Sequence, residues 1–160
     1  MKQRRVVAGI RDGKEFLEEE EIESVRAVNV EITPIFRTNG VPTVPNDGRG
    51  LPRAKSPADL GFPGAGSVIA GTLRVPPHTS VAAHAEETRR DDRPGHHASD
   101  SVDVDVVIEG ELIYEADDGS VVTLKQGDWI IKYGTVHAWH NRTAKPAVMA
   151  FFGLGAHRVD

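Results

Sequence analysis

Two segments of the chain carry side chains whose types and spacing could do chemistry. The first, His97-Ala98-Ser99-Asp100-Ser101-Val102-Asp103-Val104-Asp105-Val106, alternates with a period of two from Ser101 to Val106. In an extended strand Val102, Val104, Val106 and Ile108 share one face, and Ser101, Asp103, Asp105 and Val107 share the other. If that register reaches back to residue 97, the second face also carries His97 and Ser99, so one sheet face presents an imidazole and two carboxylates. Those groups suit proton transfer or a cation site, and a solvated polar face accounts for the same pattern equally well. The second segment, Gly127 to Asn141, groups His137 with Trp139 and Asn141 by parity and sends His140 to the opposite face. All seven histidines lie at or beyond position 78, and there is no cysteine, so any metal would need His and carboxylate ligands.

The elements that must position these groups are short. Sixteen Gly and ten Pro punctuate segments rich in Val and Ile, which favours strands over long helices. The pattern predicts strands over Arg5 to Ile10, Val28 to Arg37, Ser67 to Val75, Ser80 to Ala85, Ser101 to Glu109, Glu111 to Glu115, Val121 to Leu124, Trp129 to Lys132, Val136 to His140 and Ala147 to Leu154. Turn residues at Asp117-Asp118-Gly119 and Lys125-Gln126-Gly127-Asp128 make the second half a run of antiparallel strands. Lys14 to Val25, with the acidic run Glu18 to Glu21, reads either as one short helix or as a solvated loop or edge. Residues 41 to 66 hold five Pro and five Gly and form a long irregular loop, the kind used as a lid, an interface arm or a link.

The 160 residues suffice for one domain with its own core, and 39% hydrophobic with 27% charged residues fits a globular chain. A net charge of -5 gives no general attraction to nucleic acid. The absence of cysteine removes disulfides, thiolate metal sites and a Cys nucleophile, and is compatible with a reducing compartment. The apolar run Val6 to Ile10 is too short for a signal peptide, and no segment approaches a transmembrane length, so the expectation is a cytoplasmic protein without a membrane partner.

Together the two segments resemble the two motifs of the cupin superfamily, small β-barrels of jelly-roll type. Counting back from Gly110, Asp103 falls at the family's Glu position and His97 at its first His, while Ser99 stands where a second His is usual. Gly127, Gly134, His137 and Asn141 match the second motif, which here is one residue shorter and lacks its Pro. Pro76-Pro77 and Glu109-Gly110-Glu111 are similar to features common in the family. The resemblance covers roughly Ser67 to Gly155. It implies an all-β, cupin-type jelly-roll barrel over 67-155, preceded by an N-terminal strand extension over 1-66 that serves as a dimer arm or lid, and followed by a tail over 156-160. A homodimer is the expected assembly.

The resemblance further implies a divalent first-row metal, Fe, Mn, Ni or Zn, on His97, Asp103 and His137, with positions left open for substrate or water. His84, His96 and Ser99 are extra or rival ligands; His97 is preferred to His84 because its spacing to Asp103 lies within a strand. Asp105, one pleat deeper, is the candidate proton donor or acceptor, with a salt bridge to an Arg or exposure at an edge as the alternative. Trp139 and Tyr133 are candidate pocket walls for a small-molecule substrate. The favoured activity is a metal-dependent lyase, dehydrating or decarboxylating an oxygenated carbonyl or phenolic compound. The alternatives are an Fe(II) dioxygenase, a non-catalytic small-ligand-binding cupin, and metal-free acid-base catalysis by a His-Asp pair.

Overall fold

A computed structural model describes residues 2–49, 51, 56–82 and 93–159. Among them run strands β1 (Lys2–Arg11), β2 (Lys14–Glu23), β3 (Val25–Ala27), β4 (Val30–Arg37), β5 (Val68–Val75), β6 (Thr79–Ser80), β7 (Ser101–Glu109), β8 (Glu111–Ala116), β9 (Val121–Lys125), β10 (Trp129–Tyr133), β11 (His137–Asn141) and β12 (Ala147–Gly155), with a 3-10 turn at Pro57–Leu60. The class is all-β, as the short Val- and Ile-rich segments require. None of the described helical segments is long and apolar enough to cross a membrane.

Every strand pair is antiparallel, in a six-stranded sheet ordered β10-β7-β12-β5-β4-β3, a four-stranded sheet ordered β6-β11-β8-β9, and a separate hairpin β1-β2. The two larger sheets pack over one core: Val30 and Ile32 of β4, Leu73 and Val75 of β5, Val107 of β7, Leu112 of β8, Trp139 of β11 and Met149 of β12 are buried together. The chain passes from one sheet to the other between β7 and β8 at Gly110, whose φ of 74° suits glycine.

The segment Lys14 to Val25 is neither helix nor loop over most of its length, because its acidic residues have basic partners on β1. Arg4 pairs with Glu19, Arg5 with Glu20, Arg11 with Glu18 and Lys2 with Glu21 across the hairpin. Its turn, Asp12-Gly13, has positive φ at both residues, the geometry that matches strand twist in a two-residue loop. The hairpin lies on the outer face of β4 and β5, where Gln3 donates to Thr72 at 2.6 Å and Arg5 to the Ile35 carbonyl at 2.7 Å. β3 and β4 belong to the six-stranded sheet, so of the first 66 residues it is the hairpin that stands outside the two packed sheets. The predicted strand at Ser80 to Ala85 shortens to Thr79–Ser80, and residues 83–85 lie outside the described residues.

Asn141 ends β11, fully buried, and shows how the motif asparagine serves the fold. Its amide donates to the carbonyls of Val75 at 3.1 Å and Lys145 at 2.8 Å, and its Oδ1 accepts from the Thr143 backbone at 2.9 Å. An alanine there strands several buried polar groups at once, each costing about 1–3 kcal/mol. Asn141→Ala is therefore expected to lower unfolding stability by about 2–4 kcal/mol in urea titrations; a loss within error would show that the β11-β12 turn does not depend on it.

Candidate functional site

β7 and β10 build the floor of the site through their register. Lys132 pairs directly with Asp103, and Ile130 with Asp105, so Asp103, Asp105, Ile130 and Lys132 share the inner face. Gly153 of β12 lies opposite Asp103, and a Cβ there would meet Asp103 Oδ1 at 2.9 Å; the glycine leaves the carboxylate its space. From the facing sheet β11 contributes His137 and Trp139. His97 does not extend β7. It forms an isolated bridge with His137, the two residues exchanging backbone hydrogen bonds of 2.9 and 3.0 Å, which brings their rings to 4.6 Å between centroids. This pairing carries His97 to the site by a route that strand parity did not describe.

Lys132, which the sequence reading passed over, stands at the centre. Its side chain is 8% exposed, and Nζ lies 3.0 Å from Asp105 Oδ2, 3.3 Å from Asp103 Oδ2 and 3.5 Å from His137 Nε2. The indole of Trp139 lies 5.7 Å from the same ammonium. The Asp105 oxygens are buried, with the Lys132 ammonium as their close ion-pair partner and no other donor reaching them among the described residues. Asp103 has Ser101 as a donor at 2.7 Å, and Ser99, 2.7 Å from Ser101 Oγ, lies behind it. Ser99 thus supports Asp103 rather than replacing a second imidazole.

Both imidazoles are oriented from behind. The Nδ1–H of His137 donates to the Thr135 carbonyl at 2.8 Å and that of His97 to the Gly95 carbonyl at 3.1 Å, which makes each Nε2 the acceptor nitrogen. Burial, reinforced by the Lys132 charge, pushes His137 down to about 2, so it stays neutral. Burial raises Asp105 to about 6, with Lys132 pulling it back and Asp103 adding to the rise. Burial opposes the charge on Lys132, yet Asp105 and Asp103 outweigh it and hold the ammonium above its ordinary value.

His97, Asp103, Asp105 and Lys132 form one end of a cavity of about 120 Å³ whose other walls are mostly apolar, among them Ile32, Phe62, Leu73, Trp139, Met149 and Phe151, while His137 touches Lys132 from outside that lining. Leu60, Gly61 and Phe62 come from the 41 to 66 segment, and Arg37 with Asp59 completes the lining. Tyr133 takes no part: it is 73% exposed on the outward side of β10. His96 is buried by Glu115, 3.6 Å away, and His140 bridges Ser80 at 2.9 Å and Glu115 at 3.0 Å, both apart from the cavity lining. His84 lies outside the described residues.

The residues present do not fit the expected metal. His97, Asp103 and His137 do approach one another, but the point between Asp103 and His137 is filled by an ammonium. An ion at about 2.0–2.2 Å from such donors would overlap Lys132 and add two positive charges beside a buried one. No group of three or more His, Asp or Glu side chains among the described residues is spaced to hold an ion.

No family model matches the chain. It is similar to the Phomopsin biosynthesis cluster protein C' of Diaporthe leptostromiformis, 34% identical over 92 residues that make up 55% of this chain and 49% of that protein. A shorter stretch of 48 residues, 30% of this chain and 27% of the other, is 44% identical to the Oryzines biosynthesis cluster protein J of Aspergillus oryzae. The chain thus spans about half the length, or less, of these curated relatives. Among solved structures, the Cnp3 cupin domain of Schizosaccharomyces pombe superposes with a TM-score of 0.54 over 95% of this chain and 87% of that one, at 8% identity. The likeness is one of fold, and it agrees with the strand order and the two motif segments: this chain folds as a small cupin-type domain.

Proposed function

We propose that the domain binds a small hydroxy-carbonyl or hydroxy-acid molecule in this cavity and acts on it by acid-base chemistry of lyase type, dehydration or decarboxylation, with Lys132 as the fixed positive charge. The observation that carries the reading is a buried ammonium paired with a carboxylate that no other donor reaches among the described residues, at the polar end of an otherwise apolar cavity. A ligand carbonyl or carboxylate oxygen accepts from Lys132, and a ligand hydroxyl donates to Asp105. An ammonium has three N–H donors, and its longest contact here is to His137. A ligand oxygen replaces that contact most easily, and Asp105, whose burial raises its proton affinity, takes the proton from the carbon beside the ligand carbonyl. Lys132 stabilises the negative charge that develops on the ligand oxygen, and Asp105 returns the proton it took from carbon to the leaving hydroxyl, which departs as water. The relatives named for biosynthesis clusters support a small organic substrate.

A non-catalytic ligand-binding role is the second reading, favoured by the close pairing of Lys132 with both carboxylates before any ligand arrives. A homodimer is proposed with either. Outward-facing Val102, Val104 and Val106 of β7, Trp129, Ile131 and Tyr133 of β10, and Phe152 and Leu154 of β12 form an apolar face without a charge, beside the area that the β1-β2 hairpin covers.

Short-chain 2-hydroxy and 2-oxo acids are expected to raise the melting temperature of the native protein by several degrees and to leave Lys132→Met unmoved; a panel that stabilises neither, or both alike, removes the binding reading. Turnover of a stabilising acid, followed by NMR, separates enzyme from binding module. Light scattering is expected to show a dimer that Ile131→Asp converts to a monomer, and a monomeric native protein would end the dimer proposal.

The pH dependence follows from the two buried groups. Between its ordinary 3.8 and about 6, Asp105 holds its proton in the folded chain and not in the unfolded one, so stability falls as pH rises through that window. Between its ordinary 6.5 and about 2, His137 is protonated only when unfolded, so stability falls as pH drops. From about pH 4 to 6 the two slopes cancel. In Asp105→Asn the His137 slope stands alone at about 1.4 kcal/mol per unit, so the variant should lose about 2 kcal/mol more than the native chain between roughly pH 6.5 and 4.5. Urea midpoints at the two pH values check this; parallel losses would show that the two groups do not oppose each other.

A further inference from the structure

We infer that Lys132 is an internal substitute for a divalent cation, and that the native domain binds no such ion here because the chain carries its own positive charge into the place. The inference rests on the geometry of the site and goes beyond the reading of the cavity, since it holds whatever molecule the cavity takes. Three oxygen and nitrogen donors from two facing sheets lie within 3.5 Å of one atom, Lys132 Nζ: Asp103 Oδ2, Asp105 Oδ2 and His137 Nε2. Their chemistry is that of ligands for a hard or borderline divalent ion, two carboxylates and one neutral imidazole. His137 is moreover held as a ligand is held, its Nδ1–H fixed on the Thr135 carbonyl so that the Nε2 lone pair faces the cation. His97 is oriented likewise on the Gly95 carbonyl, with its ring against that of His137.

The tether is equally specific. Lys132 projects from the β10 position directly across from Asp103, on the inner face that carries both carboxylates. Ammonium contacts of about 3 Å are longer than metal bonds of about 2.0–2.2 Å, so donors set around an ammonium must move in by roughly 1 Å to hold an ion, a displacement that side-chain rotation provides. Counting charges gives the same picture. The two carboxylates face one ammonium, and a divalent ion in its place would balance both.

The test is metal binding, with no substrate present, so its failure is distinct from a failure of the proposed reaction. Native protein, Lys132→Ala and the charge-balanced Lys132→Met/Asp105→Asn are purified without an affinity tag, titrated calorimetrically with Zn²⁺ and with Mn²⁺, and melted with and without each ion. The native chain should show no stoichiometric binding and no change in melting temperature. At least one of the two variants should bind about one ion per chain, at least 100-fold more tightly than the native chain, and be stabilised by it, and adding Asp103→Asn should abolish this. A variant that folds only when the ion is present supports the inference as well. One tightly bound ion in the native protein, lost in Asp103→Asn and His137→Ala, would overturn it. So would folded variants that bind nothing, and so would failure of both variants to fold even with metal.

Discussion

The structure depends on one charge arrangement, an ammonium on β10 held between two carboxylates on β7. Each of these groups alone would be costly to bury, and removing one partner of such a cluster typically costs about 3–5 kcal/mol because the remaining charge is left uncompensated. The arrangement therefore makes the β7-β10 register a requirement rather than a preference. Shifting β10 by one residue would turn Lys132 outward, face Asp103 with Ile131 or Tyr133 and leave both carboxylates alone. β10 is an edge strand of its sheet, the kind of strand whose pairing is least constrained by neighbours, and the ion pair pins it.

The same arrangement accounts for the division of labour around the cavity. Apolar side chains from both sheets and Phe62 from the 41 to 66 segment line most of the space, a low-dielectric surrounding that strengthens the attraction between Lys132 and its partners and restricts the polar end to a few directed groups. Asp103 and Asp105 are both carboxylates on one strand face, yet their surroundings separate them. Asp103 receives a hydroxyl from Ser101, while Asp105, deeper and 1% exposed, has only the Lys132 ammonium beside it among the described residues, and burial raises it above its ordinary value. A buried carboxylate that keeps its proton to higher pH is a starting condition for acid-base work.

Much of this was legible in the sequence and some was not, for reasons that can be named. The period-two run over Ser101 to Glu109 gave the strand and the shared face of Asp103 and Asp105, because one inner face and one outer face leave a clean alternation. Lys132 was hidden by the same rule. In Trp129-Ile130-Ile131-Lys132-Tyr133 the bulkiest apolar residues alternate with Lys, so parity taken alone turns the lysine to solvent, whereas the protein turns Trp129, Ile131 and Tyr133 outward. A carboxylate pair that needs a buried counter-charge was the available signal, and it called for a lysine or arginine on a neighbouring strand. His97 reached the site by pairing with β11, a long-range contact that no local pattern encodes. The β2 strand was obscured by its own glutamates, whose β propensity is low until the basic residues of β1 are placed opposite.

A tethered ammonium and a bound ion solve the same electrostatic problem with different chemistry. An ion offers vacant coordination positions and two charges, so a substrate can join its ligand shell. Lys132 offers one charge and three N–H donors, needs no uptake, and is present whenever the chain is folded. With Asp103, Asp105 and His137 already beside it, an incoming oxygen must displace a neighbour rather than fill a vacancy, and the longest contact, to His137, yields first. Ligand binding and release of His137 from the ammonium are then one event. That coupling follows from the number of donors on an ammonium and the number of groups around it, and it would be absent in a site built on an ion with free positions.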